Sequence, residues 1–203
     1  MKSINTYIAE KFQVSKDNIG TYIYAPETKE ELREILEERL DEDNDADLND
    51  IDVSKITDMS GVFRDLYPHN IDISEWDVSN VTNMKDMFYG CNNFNSNLSD
   101  WDISKVKNMH SMFFECNEFN SNLSKWDVSN VTKMTFMFGY CRKFNSDLSN
   151  WNVAKVEYMD WMFYSCKKFN YDLSKWDISS VKNMNYMFDY CTSLKNTPTW
   201  YIG

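Results

Sequence analysis

Between residues 51 and 200 the chain repeats itself every 25 residues, and no other feature restricts its fold so strongly. The clearest unit opens Trp76-Asp77-Val78-Ser79-Asn80-Val81-Thr82-Asn83-Met84. It continues Lys85-Asp86-Met87-Phe88-Tyr89-Gly90-Cys91 and closes Asn92-Asn93-Phe94-Asn95-Ser96-Asn97-Leu98-Ser99-Asp100. Later units open at Trp101, Trp126, Trp151 and Trp176. The first of the six is degenerate, with Ile51 in the tryptophan slot, Leu66 in the cysteine slot and His69 in the phenylalanine slot, as suits a terminal unit that faces a cap.

Two periodicities share each unit. Val81, Met84, Met87, Phe88 and Cys91 fall on one face of a short helix, with Ser79 or Thr82 suited to cap its start. Leu98, Trp101 and Ile103 follow the spacing of a leucine-rich repeat, whose short strand turns alternate large residues inward. The expected architecture is an α/β repeat solenoid, leucine-rich-repeat-like, with one short parallel strand and one short helix or helical turn per 25-residue coil. Six such coils at strand spacing make a rod roughly 25–30 Å long. A single unit buries too little to fold alone, so neighbouring coils must cover one another. The recurring Asn70, Asn95, Asn120, Asn145 and Asn170 read as a ladder that satisfies buried corner backbone.

Residues 1–50 differ and are expected to form an N-terminal cap, with 51–200 as the six coils and 201–203 as the end. Thr28-Lys29-Glu30-Glu31 is a capping-box pattern leading into Leu32, Ile35, Leu36 and Leu40, which predicts an amphipathic helix over about 28–40 that seals the first coil. Asp41, Glu42, Asp43, Asp45 and Asp47 then read as a solvated acidic loop. Earlier, Ile4, Tyr7, Ile8 and Phe12 suggest another short helix, and residues 21–24 a strand. Residues 27–52 hold thirteen acids against Lys29, Arg33 and Arg39, and so carry ten of the eleven net negative charges. With no basic stripe on the repeats, direct nucleic-acid binding is not expected, whereas a basic protein partner is compatible. No secretory signal or membrane-spanning stretch is visible, which gives a cytoplasmic monomer without membrane contact as the expectation. Cys91, Cys116, Cys141, Cys166 and Cys191 share one slot, an odd number at a spacing unlike a zinc site, and read as reduced core thiols.

On these motifs the chain resembles the BspA-like leucine-rich-repeat family of bacterial proteins. The shared pattern is W-D-V-S-x-V-x-x-M-x-x-M-F-x-x-C-x-x-F-N, nearly intact from Trp76 to Lys175, and about three quarters of the chain is covered. The lead-in Pro26-Glu27-Thr28-Lys29-Glu30-Glu31-Leu32 also looks like that family's N-terminal flank. The resemblance implies a binding or adhesion role without catalysis, and it brings no catalytic residues.

The residues themselves agree that chemistry is sparse. His69 and His110 are the only histidines, and the five glycines are scattered singly, so no catalytic triad, metal cluster or phosphate loop can be assembled; no cofactor or metal is expected. Two features remain as candidates for partner binding. One is acidic: Asp41, Glu42, Asp43, Asp45 and Asp47 in the loop, with the ladder Asp77, Asp102 and Asp127 on the repeats. Stacked carboxylates repel, so that ladder requires a basic partner, a cation or hydrogen bonds from following backbone amides. The other is aromatic: Phe136, Trp161 and Tyr186 in one variable row, and Tyr89, Phe114 and Tyr164 in the next, both facing solvent if the segment is helical, where the rings serve either as interface anchors or only to stack along the rod and shield neighbouring coils. A non-enzymatic protein-interaction module is the leading reading. The alternatives are an acidic, mobile-element-encoded inhibitor of a nucleic-acid-binding defence effector, in the manner of an anti-CRISPR protein, or a surface adhesin if a signal was removed.

Overall fold

A computed structural model describes residues 24–202, so the helix and most of the strand expected in residues 1–23 lie outside the described residues. Among the described residues one helix forms, α1 (Lys29–Glu42). Thr28 caps it by accepting the Glu31 amide at 3.2 Å, and the Glu31 carboxylate accepts the Glu27 amide at 2.8 Å. Its buried face is Leu32, Ile35, Leu36 and Leu40, the four residues that the sequence pattern places there. At its C-terminal end Arg39 favours the helix dipole, pairs with Asp50 at 2.8 Å and lies over the Tyr24 ring, tying the helix to the chain that follows. No helix among the described residues is long and apolar enough to cross a membrane.

Beyond α1 the chain stacks on itself in 25-residue steps. Parallel bridges join Asp58 to Asn83, Asn83 to Asn108, Asn108 to Lys133, Lys133 to Tyr158 and Tyr158 to Asn183. Around each bridge the amides of alternate residues donate to carbonyls of the following coil. Met84, Asp86, Phe88 and Gly90 donate to Asn108, His110, Met112 and Phe114 at 2.8–2.9 Å, and the next coils repeat the set.

Helix is therefore absent from the repeats, contrary to the expectation from period. The reason is backbone handedness. Asp86, Ser111, Phe136, Trp161 and Tyr186 stand at φ between 52° and 59°, which no right-handed helix admits. Two i→i+3 turns flank each of the first four, as in Met84–Met87 and Asp86–Tyr89, while the intervening amides pair across coils instead of within one. The Met, Phe and Cys positions face inward in either geometry, so apolar spacing could not separate them.

The strand expected at Leu98, Trp101 and Ile103 is also absent, although those residues do point inward. Side chains have taken the amides that a strand would pair. Asn97 and Asp102 accept the amides of Ser99 and Ser104, and the Ser121 hydroxyl accepts the Leu98 amide at 2.9 Å. The parallel pairing sits instead in the Asn83 slot, at the opposite corner.

A continuous spine fills the interior. Phe63, Phe88, Phe113, Phe138, Phe163 and Phe188 stack at centroid separations of 5.1–5.7 Å. The indoles of Trp76, Trp101, Trp126, Trp151 and Trp176 each donate to a carbonyl 28 residues back, Trp126 to Leu98 at 2.9 Å and Trp151 to Leu123 at 3.0 Å. The buried polar N–H of tryptophan is thereby satisfied by the neighbouring coil. The asparagine ladder works likewise: Asn95, Asn120 and Asn145 each accept the amide of the next asparagine, at 2.8, 2.8 and 3.1 Å.

Stacking begins earlier than residue 51. Asp47 bridges Asp72, Leu48 and Asp72 exchange backbone bonds with this segment, and Asp45 accepts the Asn70 amide at 3.0 Å. The segment expected as a solvated loop is thus half a coil in its second part, with Ala46 and Leu48 buried. Asp45 occupies the asparagine-ladder slot, a role hidden by the charge run around it.

All five cysteines are free and buried, and Cys116, Cys141 and Cys166 donate to Phe88, Phe113 and Phe138 carbonyls at 3.0, 2.8 and 2.9 Å. Burial pushes their thiols up, Cys191 to about 12. Since the thiolate is the reactive form, native thiol labelling should run at least about a thousandfold slower than in urea. Cys191, at 8% exposure the least covered, should label first. Rapid native labelling of Cys116 or Cys141, followed by mass spectrometry, contradicts this packing.

Candidate partner-binding site

The turn that replaces the helix brings two rows of side chains to one outer face. Tyr89 stacks on Phe114 at 4.9 Å, and Phe114 meets Phe136 edge-on at 5.5 Å. Phe136 stacks on Trp161 at 5.4 Å, and Trp161 touches Tyr164 at 4.7 Å and Tyr186 at 4.5 Å. All six aromatic residues singled out in the sequence therefore form one connected strip. The solvent-facing expectation needs correction in degree: most of these rings are half-buried by their neighbours, and Tyr186 at 52% is the open one. Ser111 and Gly139, in the same rows, are buried.

Sequence reasoning missed two members. Tyr140 and Tyr190 occupy a third row, one residue further on, and meet Phe114 and Tyr164 edge-on at 5.5 and 5.2 Å; Tyr190 is 65% exposed. A helix would turn that slot aside. Here the slot carries a second left-handed residue, with Glu115, Tyr140, Ser165 and Tyr190 at φ 61–63°. Gly90 in this row was the available signal, since glycine fills left-handed positions without a Cβ penalty.

The scaffold's own preference is visible in the first coils. Gly61, at φ 67°, stands where Phe136, Trp161 and Tyr186 stand later, and Gly90, at φ 76°, where Tyr140 and Tyr190 stand. A left-handed L-residue costs roughly 1–2 kcal/mol, and a stacked aromatic pair contributes about 0.5–1.5 kcal/mol. Ring stacking offsets the backbone cost without a clear surplus. Gly139 has a local reason of its own, because a Cβ there would meet Phe114 Cδ2 at 2.9 Å; its absence lets the Phe114 ring lie close.

Electrostatics around the strip is mild. Arg64 lies 4.5 Å over the Tyr89 ring and pairs with Asp86 at 3.2 Å, closing the first end of the strip with a cation. His110 meets Phe136 edge-on at 6.5 Å, and burial depresses its imidazole below the ordinary value. Partial burial first, then the neighbouring Tyr140 and Tyr190 hydroxyls, holds the Tyr164 phenol above its ordinary value. The strip thus presents aromatic rings and tyrosine hydroxyls, with the Arg64 cation at its first end.

The acidic candidates are placed differently. Asp77, Asp102 and Asp127 are exposed, and each accepts the amide of the serine two residues on, at 2.9–3.0 Å. Of the three explanations for a carboxylate ladder, the backbone hydrogen bond is the one present. In the segment after α1, Asp43 and Asp47 accept the amides of Asp45 and Asn49, and Asp45 serves the Asn70 amide. Asp41 and Glu42 are exposed at the end of α1. The acidic set is therefore spread over turn-forming duties and does not converge on one concavity.

A family model described as "Mycoplasma protein of unknown function, DUF285" matches residues 31–139 and again residues 99–201. The chain belongs to the DUF285 family. No curated protein sequence and no solved structure matches it. The two DUF285 matches together span most of α1 and every coil, so the aromatic strip lies within the matched residues.

The serine turns of this DUF285 protein carry a pH signature. The hydroxyl and then the amide of Ser129 hold Asp127 below the ordinary carboxylate range, and Ser104 does the same for Asp102. A carboxylate whose folded value is depressed stabilises above its unfolded value of about 3.9, and that stability is lost as pH falls through the folded value. Thermal stability should therefore decline below about pH 4. Asp127→Ala should cost at most about 1 kcal/mol near neutrality, because the group is exposed. Asp127→Asn, which Asn152 and Ala154 imitate naturally in the next coil, should keep most of the stability and shed the acid-dependent part. Equal losses for both variants across pH 3–7, measured by thermal melts, exclude this role for the carboxylate.

Proposed function

We propose that the chain is a non-enzymatic protein-interaction module that binds a protein partner through its aromatic strip. On this reading it is a repeat solenoid of the leucine-rich-repeat kind seen in BspA-like proteins, acting as a monomer with a helical N-terminal cap. One observation carries the proposal: Phe136, Tyr140, Trp161, Tyr186 and Tyr190 place large rings at left-handed positions whose rows hold glycine once each, at Gly61 and Gly90, and small or polar residues such as Asp86, Ser111 and Glu115 in other coils. Backbone strain retained with no surplus of stability points to a use for the side chain. Rigid aromatic rings on a stiff backbone are the residues that dominate protein interfaces, because little freedom is lost when they are covered.

Ring geometry also bears on what is recognised. Phe136, Trp161 and Tyr186 lie against one another along the stack, so their faces are largely used and their edges and hydroxyls remain. A protein surface offering apolar side chains and backbone acceptors for tyrosine hydroxyls suits such an array.

The test uses the scaffold's own solution for these slots. Trp161→Gly and Phe136→Gly relieve the left-handed backbone, as Gly61 does, while removing the ring. Each should change stability by no more than about 1 kcal/mol, since strain relief opposes lost stacking. A partner recovered by cross-linking on the native protein should bind each variant about 30-fold or more weakly, the loss expected of an interface anchor. Unchanged affinity for both variants defeats the proposal. Neutralising Asp41, Glu42, Asp43, Asp45 and Asp47 together should leave that affinity within about threefold, and a far larger, salt-dependent loss assigns the interface to the acidic segment instead.

A further inference from the structure

Along residues 84–90 and their equivalents, hydrogen bonding between coils has a direction, whereas the amide at the Thr82 slot of each coil reaches back, as Lys107 does to the Thr82 carbonyl at 2.9 Å. In every coil from Met84 onward to Ser165, amides at four alternate positions point forward and carbonyls at the intervening positions point back. Met159, Trp161, Phe163 and Ser165, for instance, donate to Asn183, Asn185, Met187 and Asp189 at 2.8–3.0 Å. The left-handed residues produce this polarity, because alternation of backbone hand turns successive amides to one side.

The two ends of the stack are consequently unlike. The backward end offers carbonyls, and α1 meets them with cations. Arg33 Nη1 donates to the Gly61, Val62 and Arg64 carbonyls, and Lys29 Nζ donates to the Ser60 hydroxyl at 3.1 Å. The forward end offers the amides of Met184, Tyr186, Phe188 and Tyr190. Among the described residues none of the four donates to a carbonyl, although their counterparts in the four preceding coils all do. Tyr201 packs edge-on against Phe188 at 5.1 Å, and its buried hydroxyl closes no hydrogen bond among the described residues. Ile178, Val181 and Met184, whose counterparts are buried in earlier coils, are half-exposed here.

We propose that this forward end is a strand-addition site for an extended peptide segment of a partner protein. The segment lies parallel to residues 183–190 and lays alternate carbonyls on the Met184, Tyr186 and Tyr190 amides, with apolar side chains over Val181 and Met184. The site continues an interface that the chain already makes between successive coils, with the same donors in the same register. A second copy does not suit it. The copy's backward end is closed by α1 and Arg33, and its forward end would set amides against amides. A peptide backbone supplies the missing acceptors whatever its sequence, and main-chain bonds to an open edge are the basis of strand-addition recognition. This surface is separate from the lateral face of the aromatic strip, sharing with it only the terminal residues Tyr186 and Tyr190.

The probe is a synthetic peptide with the sequence of residues 158–166, whose carbonyls at 158, 160, 162 and 164 receive the preceding coil's amides in the native chain. Added to the full-length protein, it should slow amide hydrogen exchange at Met184, Tyr186 and Tyr190 by about tenfold or more, leaving exchange in the central coils unchanged. A depsipeptide with esters after residues 160 and 162 carries weaker acceptors there and should lose most of that protection. Absence of protection, protection confined to residues 136–164, or equal protection by the depsipeptide overturns the proposal. Protection by inorganic phosphate alone, matching that of the peptide, reassigns the end as an anion site. Phe136→Gly, whose ring touches neither Tyr186 nor Tyr190, should leave the peptide effect intact, so failure here and failure of the aromatic strip are read separately.

Discussion

The amide that reaches forward to the next coil's carbonyl is the bond on which this structure depends. It exists because two residues in each coil, at the Asp86 and Gly90 slots, are left-handed, which turns the Met84, Asp86, Phe88 and Gly90 amides, and their equivalents, away from their own turn. A right-handed helix would have used those donors locally and left the coils joined only by apolar contact. With the donors directed outward, no coil satisfies its own backbone, and folding is tied to having a neighbour. Side chains then reinforce the same step: tryptophan indoles, cysteine thiols and asparagine carboxamides each close a bond to the coil before or after.

The same backbone feature places the aromatic strip. The large side chains at the left-handed positions, Phe136, Trp161 and Tyr186, stack on one another along the outer face, while the small Ser111 and Ser165 in equivalent slots are buried. Rings at these positions are supported directly by the inter-coil bonds and stacked on one another, which makes them a stiff surface rather than a mobile one. At the first end the surface stops at Arg64 over Tyr89; towards the last coil it opens at Tyr186 and Tyr190.

Much of this was legible in the residues. The 25-residue step, the inward positions, the helix α1 with its four buried residues, the asparagine ladder and the six ring residues of the strip were all readable, because each depends on spacing and side-chain type. The backbone between them was not. Val81, Met84, Met87, Phe88 and Cys91 satisfy a helical period, yet they satisfy a chain of alternating turns equally well, and apolar period reports only which way side chains point. The deciding signs were Gly61 and Gly90, single glycines in slots that elsewhere hold bulky residues. Without those, Tyr140 and Tyr190 fell on the wrong side of an imagined helix. The serine turns were hidden for another reason: Asp102 and Ser104 alternate with inward Trp101 and Ile103 as strand residues would, and only their hydrogen bonds distinguish the two. Charge misled in the same way at Asp45, whose neighbours Asp41, Glu42 and Asp43 made a ladder residue look like part of a solvated run.

Every junction between full coils shares three bonds: indole to a carbonyl 28 residues back, thiol to a carbonyl 28 residues back, carboxamide to an amide 25 residues on. Removing or duplicating one whole unit would rejoin these partners and re-pair only outer contacts such as Lys105 with Asn80 and Lys155 with Asn130. What would change is the order of the outward rings, since Phe136, Trp161 and Tyr186 each belong to a different unit. Unequal recombination within the gene could therefore reshuffle the recognition face while the fold itself stays constant.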